Sequence, residues 1–108
     1  MPTIFHITSQ EAWQQAMREG VYRTASLAAE GFIHCSEHEQ VAETANRIFQ
    51  GQKGLVLLEI EPEKLHAPLR YEASFEGQRF PHIYGPLNIN AVISTHPLFP
   101  NSEGVFSF

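Results

Sequence analysis

The apolar positions of this chain change period from segment to segment, and each period points to an element. Residues 3–8 read as a first strand. Thr8-Ser9-Gln10-Glu11 then fits a capping box, in which a hydroxyl and a carboxylate satisfy unpaired N–H groups. Ala12, Trp13, Ala16 and Met17 follow at helical spacing and Gly20 supplies a stop, so a helix is expected over 9–19. Residues 21–29 suggest a short extended piece and a turn of helix. Gly31 opens Phe32-Ile33-His34-Cys35 as a short strand, and Ser36-Glu37-His38-Glu39 forms a second capping box. Val41, Ala42, Ala45, Ile48 and Phe49 lie at i, i+1, i+4, i+7 and i+8, the clearest helical stripe in the sequence, and Gly51 closes it.

The pattern then changes. Residues 54–61 form a run rich in Leu, Val and Ile, expected as a central strand that Pro62 ends. Residues 68–72 and 78–84 read as two strands around a Glu76-Gly77 turn, and 91–96 as a last strand. Residues 97–108 carry Phe99, Phe106 and Phe108 and are expected to lie over the core as an irregular arm. Strand, helix, strand, helix and then mostly strands predicts an α+β domain with an antiparallel sheet late in the chain. A length of 108 residues suits one domain, 1–108, with one core.

Charge and composition narrow the chemistry. All twelve acidic residues are Glu, which argues against EF-hand loops, aspartyl phosphoenzymes and Asp dyads. Seven basic residues against twelve acidic ones give −5, with only two lysines, so no nucleic-acid partner is expected. Cys35 is the single cysteine, so no internal disulfide can form. There is no secretory or lipidation signal and no apolar run long enough for a bilayer; the expectation is a cytoplasmic protein with no membrane partner.

Six histidines are the unusual feature, and His6, His34, His82 and His96 fall in or beside expected strands. His34-Cys35-x-x-His38 offers three ligand types to zinc, but no CxxC or HExxH string accompanies it and Ser36 is better used as a cap, so zinc is not expected. The second reading is a nucleotide or sugar-phosphate cleft. His6, Thr8, Ser26, His34, Ser36, His82 and Tyr84 would supply donors, and Tyr22, Tyr71 and Tyr84 would stack on a ring. Arg23, Arg70 and Arg79 would bring local positive charge, and the helix after Ser36 would hold an anion at its start. Glu72 could stabilise a developing cation or bind a sugar hydroxyl; the plain alternative is an exposed strand-end Glu. Nothing in the sequence brings Glu59 or Glu61 to Glu72 as a glycosidase pair. Adjacent strand residues face opposite ways, so if His34 lines a cleft, Cys35 faces the core as a small hydrophobe rather than a nucleophile. Trp13 reads as core, and His66 and His96 as surface or structural residues.

The strings Phe5-His6-Ile7-Thr8, Ser26-Leu27, Glu30-Gly31-Phe32-Ile33-His34-Cys35-Ser36 and Phe80-Pro81-His82-Ile83-Tyr84-Gly85-Pro86-Leu87, with Gln40, Leu58-Glu59-Ile60 and Arg70-Tyr71-Glu72, resemble the small bacterial domain-of-unknown-function 952 family over about residues 3–95. The resemblance implies an ADP-ribosyltransferase-like fold, a split and mostly antiparallel β core with a cleft between its halves, and NAD as the cofactor or substrate to consider. Carried over, His6 would touch the NAD ribose, and Ser26, or His34 with Ser36, would occupy the second-strand region. Glu72 or the His82/Tyr84 pair would stand where the last catalytic element belongs. No Glu-x-Glu or Gln-x-Glu step accompanies them. Glu72, His82 and His34 are thus the candidate catalytic residues, and His6, Thr8, Ser26, Ser36 and Tyr84 the candidate ligand contacts. The activity stays open between an ADP-ribosyl-type transferase or hydrolase, a non-catalytic ligand sensor, and a protein-interaction domain using the aromatic arm. Fold alone does not decide among them.

Overall fold

The computed structural model describes residues 2–108. The elements are β1 (Ile4–Ser9), α1 (Gln10–Glu19), β2 (Val21–Tyr22), α2 (Ala25–Glu30), β3 (Ile33–His34), α3 (Val41–Ile48), β4 (Leu55–Ile60), β5 (Leu69–Ala73), β6 (Arg79–Ile83), β7 (Leu87–Asn88) and β8 (Val92–Leu98). Every ladder is antiparallel. One sheet has the order β1-β4-β8, a second β3-β6-β5, and β2-β7 is a separate two-stranded ladder. Among the described residues, an isolated antiparallel bridge from Phe5 to Ser36 stitches the two larger sheets together. The α+β reading holds.

β4 shows no alternation because its sheet is covered on both faces. Val56, Leu58 and Ile60 enter one core with Ile4, Trp13, Tyr22, Ile33, Cys35 and Ile83. Leu55 and Leu57 enter a second with Phe5, Ile7, Val41, Ala45, Leu98 and Phe106. One core was expected; there are two, one on each side of β4. The α3 stripe supplies Val41 and Ala45 to the second, whereas Ile48 is exposed, as is Met17 of α1.

Both helix starts lie one residue later than the capping boxes suggested. Ser9, not Thr8, caps α1, its hydroxyl accepting from Ala12 N at 3.0 Å. Thr8 remains in β1. The second box is made by Glu37 and Gln40, not Ser36 and Glu39; Gln40 Oε1 accepts from Glu37 N at 2.9 Å. A short 3₁₀ turn, His38–Gln40, precedes α3. A carboxylate therefore caps this start, so it is not the anion site that its sequence suggested.

The last strand also runs further than expected. β8 is an edge strand paired only with β4, and Pro97 sits opposite Val56 within it, because an edge position tolerates a missing donor. The irregular arm is correspondingly shorter. Phe106 is buried in the second core, Asn46 holds its backbone through both side-chain ends, and Phe99 stays 72% exposed.

Candidate functional site

β1 presents Ile4, His6 and Thr8 to the side where α2 and β2 pack. His6 is 8% exposed. Its Nδ1–H donates to the His34 carbonyl at 2.5 Å, which fixes the tautomer, and its Nε2 accepts from the Tyr22 hydroxyl at 2.8 Å. Thr8 in turn hydrogen-bonds Tyr22. Burial pushes the His6 pKa down to about 4, so the ring is neutral at physiological pH. The Tyr22 hydroxyl is pushed up, mainly by burial. Thr8, Tyr22, His6 and the β3 backbone thus form a closed chain of hydrogen bonds.

A cleft of about 590 Å³ opens beside this chain, between β1, the start of α2, β3 and α3. Thr8, Ser26, His34, Ser36, Thr44 and Arg47 supply its polar wall. Ser36 Oγ donates to Thr44 Oγ1 at 3.2 Å. Ser26 Oγ donates to the Phe32 carbonyl at 2.8 Å and lies 2.7 Å from Thr24 Oγ1, the cap of α2. Arg47 escaped the sequence reading because a polar residue in the last turn of a helix looks like any solvated cation.

The β3-β6-β5 sheet gathers Glu72, His82 and Tyr84 on the face that also carries His34. His82 lies opposite His34 on β3 and opposite Arg70 on β5, so these side chains share one face, while Ile33, Cys35 and Ile83 turn to the core. His82 Nδ1–H donates to Glu72 Oε1 at 2.9 Å, and the Tyr84 hydroxyl donates to the same oxygen at 2.5 Å. These two bonds, Tyr84 first, hold the Glu72 carboxyl below its usual range, and Glu72 raises the Tyr84 hydroxyl in return. Arg70 lies 5.0 Å above the Tyr84 ring. In the neutral ring the second nitrogen of His82, Nε2, is an acceptor; it is buried and has no partner among the described residues. Leaving such a group unpaired costs about 1–3 kcal/mol. Phe32, not singled out from the sequence, lies flat on His82, and His34 meets His82 edge-on. The loop after β6 is held by Tyr84 N donating to Pro68 O at 2.8 Å; Gly85 follows, where a Cβ would come within 2.8 Å of the Ala67 Cβ.

A family model described as "Protein of unknown function (DUF952)" matches residues 7–95. The chain belongs to this family. Two crystal structures of protein CC0527 from Caulobacter crescentus, one of them a double mutant, are 42% and 40% identical to it. Each covers 97% of this chain and 93% of the other, with a TM-score of 0.89. The solution structure of CC0527 is 42% identical, covers 97% and 91%, and has a TM-score of 0.85. No curated protein matches the chain.

The remaining candidates in this DUF952 protein fall into place individually. Cys35 is buried and its thiol is pushed far up by burial, so it is no nucleophile in this fold. His34 pairs with Glu30 at 2.9 Å, and the His38 ring packs on Phe5 and Phe108; the His34-Cys35-x-x-His38 string does not converge on one point. Glu59 accepts from Thr3 and pairs with His96, and Glu61 caps a short turn, so both are committed elsewhere than at Glu72. Arg79 donates to the Tyr71 carbonyl. No helix among the described residues is long and apolar enough to cross a membrane.

Proposed function

We propose that this DUF952 chain binds a nucleotide-like small molecule, of the NAD or ADP-ribose type, in the cleft beside β1, on an ADP-ribosyltransferase-like scaffold. The observation that carries this reading is the meeting of His6, Thr8, Ser26, His34 and Ser36, from three separate segments, on one cleft of about 590 Å³. That volume lies within the roughly 300–1,000 Å³ of small-molecule sites. Hydroxyls on its wall suit a sugar, and Arg47 suits a phosphate group. His82, Tyr84 and Glu72 stand just beyond His34, where an ADP-ribosyl-type transfer or hydrolysis would draw on them. The engagement of both His6 nitrogens favours a second reading, binding without turnover, because neither nitrogen is free to take a proton from a ligand or give one to it.

A thermal-shift titration with NAD and ADP-ribose tests the proposal. Ligand at 100 times Kd stabilises the protein by about 2.7 kcal/mol, and Ser36→Ala with Arg47→Ala abolishes the shift. No shift with either ligand contradicts the reading. Release of free nicotinamide from NAD then separates turnover from binding alone.

A further inference from the structure

Phe32 occupies a nest of rings. It lies on His82 with centroids 4.1 Å apart and planes at 15°, and it meets His34 at 4.8 Å and Tyr84 at 5.2 Å. Its backbone is fixed, since Ser26 Oγ donates to its carbonyl. Its ring is only half-buried and brings no hydrogen bond to a site with an unmet need for one. His82, 4% exposed, is oriented by Glu72 through Nδ1 and carries the orphaned acceptor Nε2. A carboxylate that orients an imidazole while its second nitrogen lacks a donor leaves that nitrogen available to a ligand hydroxyl. The Phe32 ring lies over the face of His82 beside that nitrogen and hangs from an anchored backbone.

We infer that Phe32 is a cover ring standing in for part of a nucleoside. The base takes its place on the face of His82, between His34 and Tyr84, and a sugar hydroxyl donates to His82 Nε2. Arg70, over the Tyr84 ring, closes the far side of the nest. The inference takes its ligand class from the proposed function, but its site lies on the opposite side of His34 from the cleft wall formed by Ser36 and Thr44. The two can therefore fail separately.

The test uses adenosine, ribose 5-phosphate and ADP-ribose with the full chain, its Phe32→Ala variant, and Phe32→Ala combined with His82→Asn. Asn retains a donor for Glu72 and lacks the second ring nitrogen. Removing the cover tightens adenosine binding about tenfold, and adding His82→Asn reverses the gain about tenfold. Ribose 5-phosphate, which has no base, binds the chain and Phe32→Ala alike. A folded Phe32→Ala protein that binds adenosine no better than the unaltered chain overturns the inference. If Phe32→Ala fails to fold, the ¹⁵N signals of His82 in the unaltered chain decide the matter. Nε2 moves on adding adenosine if the inference holds, and stays fixed at saturating adenosine if it does not. ADP-ribose binding that is lost in Arg47→Ala but indifferent to Phe32 and His82 overturns this inference and leaves the cleft reading intact. Adenosine binding to Phe32→Ala with no ADP-ribose binding at the cleft does the reverse.

Discussion

His6 and His82 are buried to nearly the same degree, 8% and 4% exposed, and each donates from Nδ1 to a fixed oxygen. They differ at the other nitrogen. His6 Nε2 accepts from Tyr22, whereas His82 Nε2 has no partner among the described residues. The oxygen partners differ too. His34 O belongs to a backbone that is itself in a ladder, while Glu72 is a half-exposed carboxylate that also serves Tyr84. The contrast teaches that burial alone does not mark a functional histidine. A satisfied ring ties two sheets together; a ring held on one side with its other nitrogen unpartnered is, on the inference above, the one a ligand would engage.

The sharpest way to break this contrast is to replace each ring by a hydrocarbon of similar shape. His6→Phe leaves the Tyr22 hydroxyl without its acceptor and the His34 carbonyl without its donor, and lowers unfolding free energy by about 3–4 kcal/mol in a urea titration. His82→Phe removes an orphaned acceptor along with one bond to a half-exposed carboxylate, and changes stability by less than about 1 kcal/mol. Equal costs would dissolve the distinction.

Acid sharpens the same contrast. The His6 pKa is about 4 in the folded protein against a model-peptide value of 6.5. Between those values the unfolded chain binds a proton that the folded chain does not, so stability rises with pH through that window. It is complete above about pH 6.5 and falls by about 3 kcal/mol on acidification to about pH 4. Glu59 and Glu72 have lowered pKa values, so their contribution is present above the ordinary carboxylate range and is lost only below it. His6 contributes a positive slope across this window, and His6→Phe removes that contribution from urea titrations.

Smaller effects follow. Tyr22→Phe removes the donor to His6 Nε2 and costs about 1–2 kcal/mol; combined with His6→Phe it costs less than the sum, because both variants lose one bond. Glu72→Gln leaves the unfolding midpoint nearly unchanged, but it weakens the Nδ1–H preference of His82, read from its imidazole ¹⁵N shifts.

Much of the fold was legible because its periodicity is local. The β4 run, the α3 stripe and the hairpin around Glu76-Gly77 can each be read within about ten residues, and the structure contains each of them. The short extended piece at β2 was legible, but β7 and its pairing with β2 were not, since a pair of residues carries no period and the ladder joins distant segments. The caps slipped by one residue because Thr8 and Ser9, and Ser36 and Glu37, can both cap, and only the strand's end decides between them. The candidate residues could be named from the sequence, but their partners could not. His6 finds Tyr22 sixteen residues away and His82 finds Glu72 ten residues back, and neither pairing has a local signature. Phe32 escaped notice because an aromatic residue beside a strand reads as core.

The most direct measurement is a long-range ¹H–¹⁵N correlation of the imidazoles at neutral pH, before and after saturation with adenosine. His6 should begin as the Nδ1–H tautomer; adenosine should move His82 Nε2 and leave His6 where it was. Movement of His6 with His82 unchanged would contradict the account, because the ring described as closed would then be the one that meets the ligand.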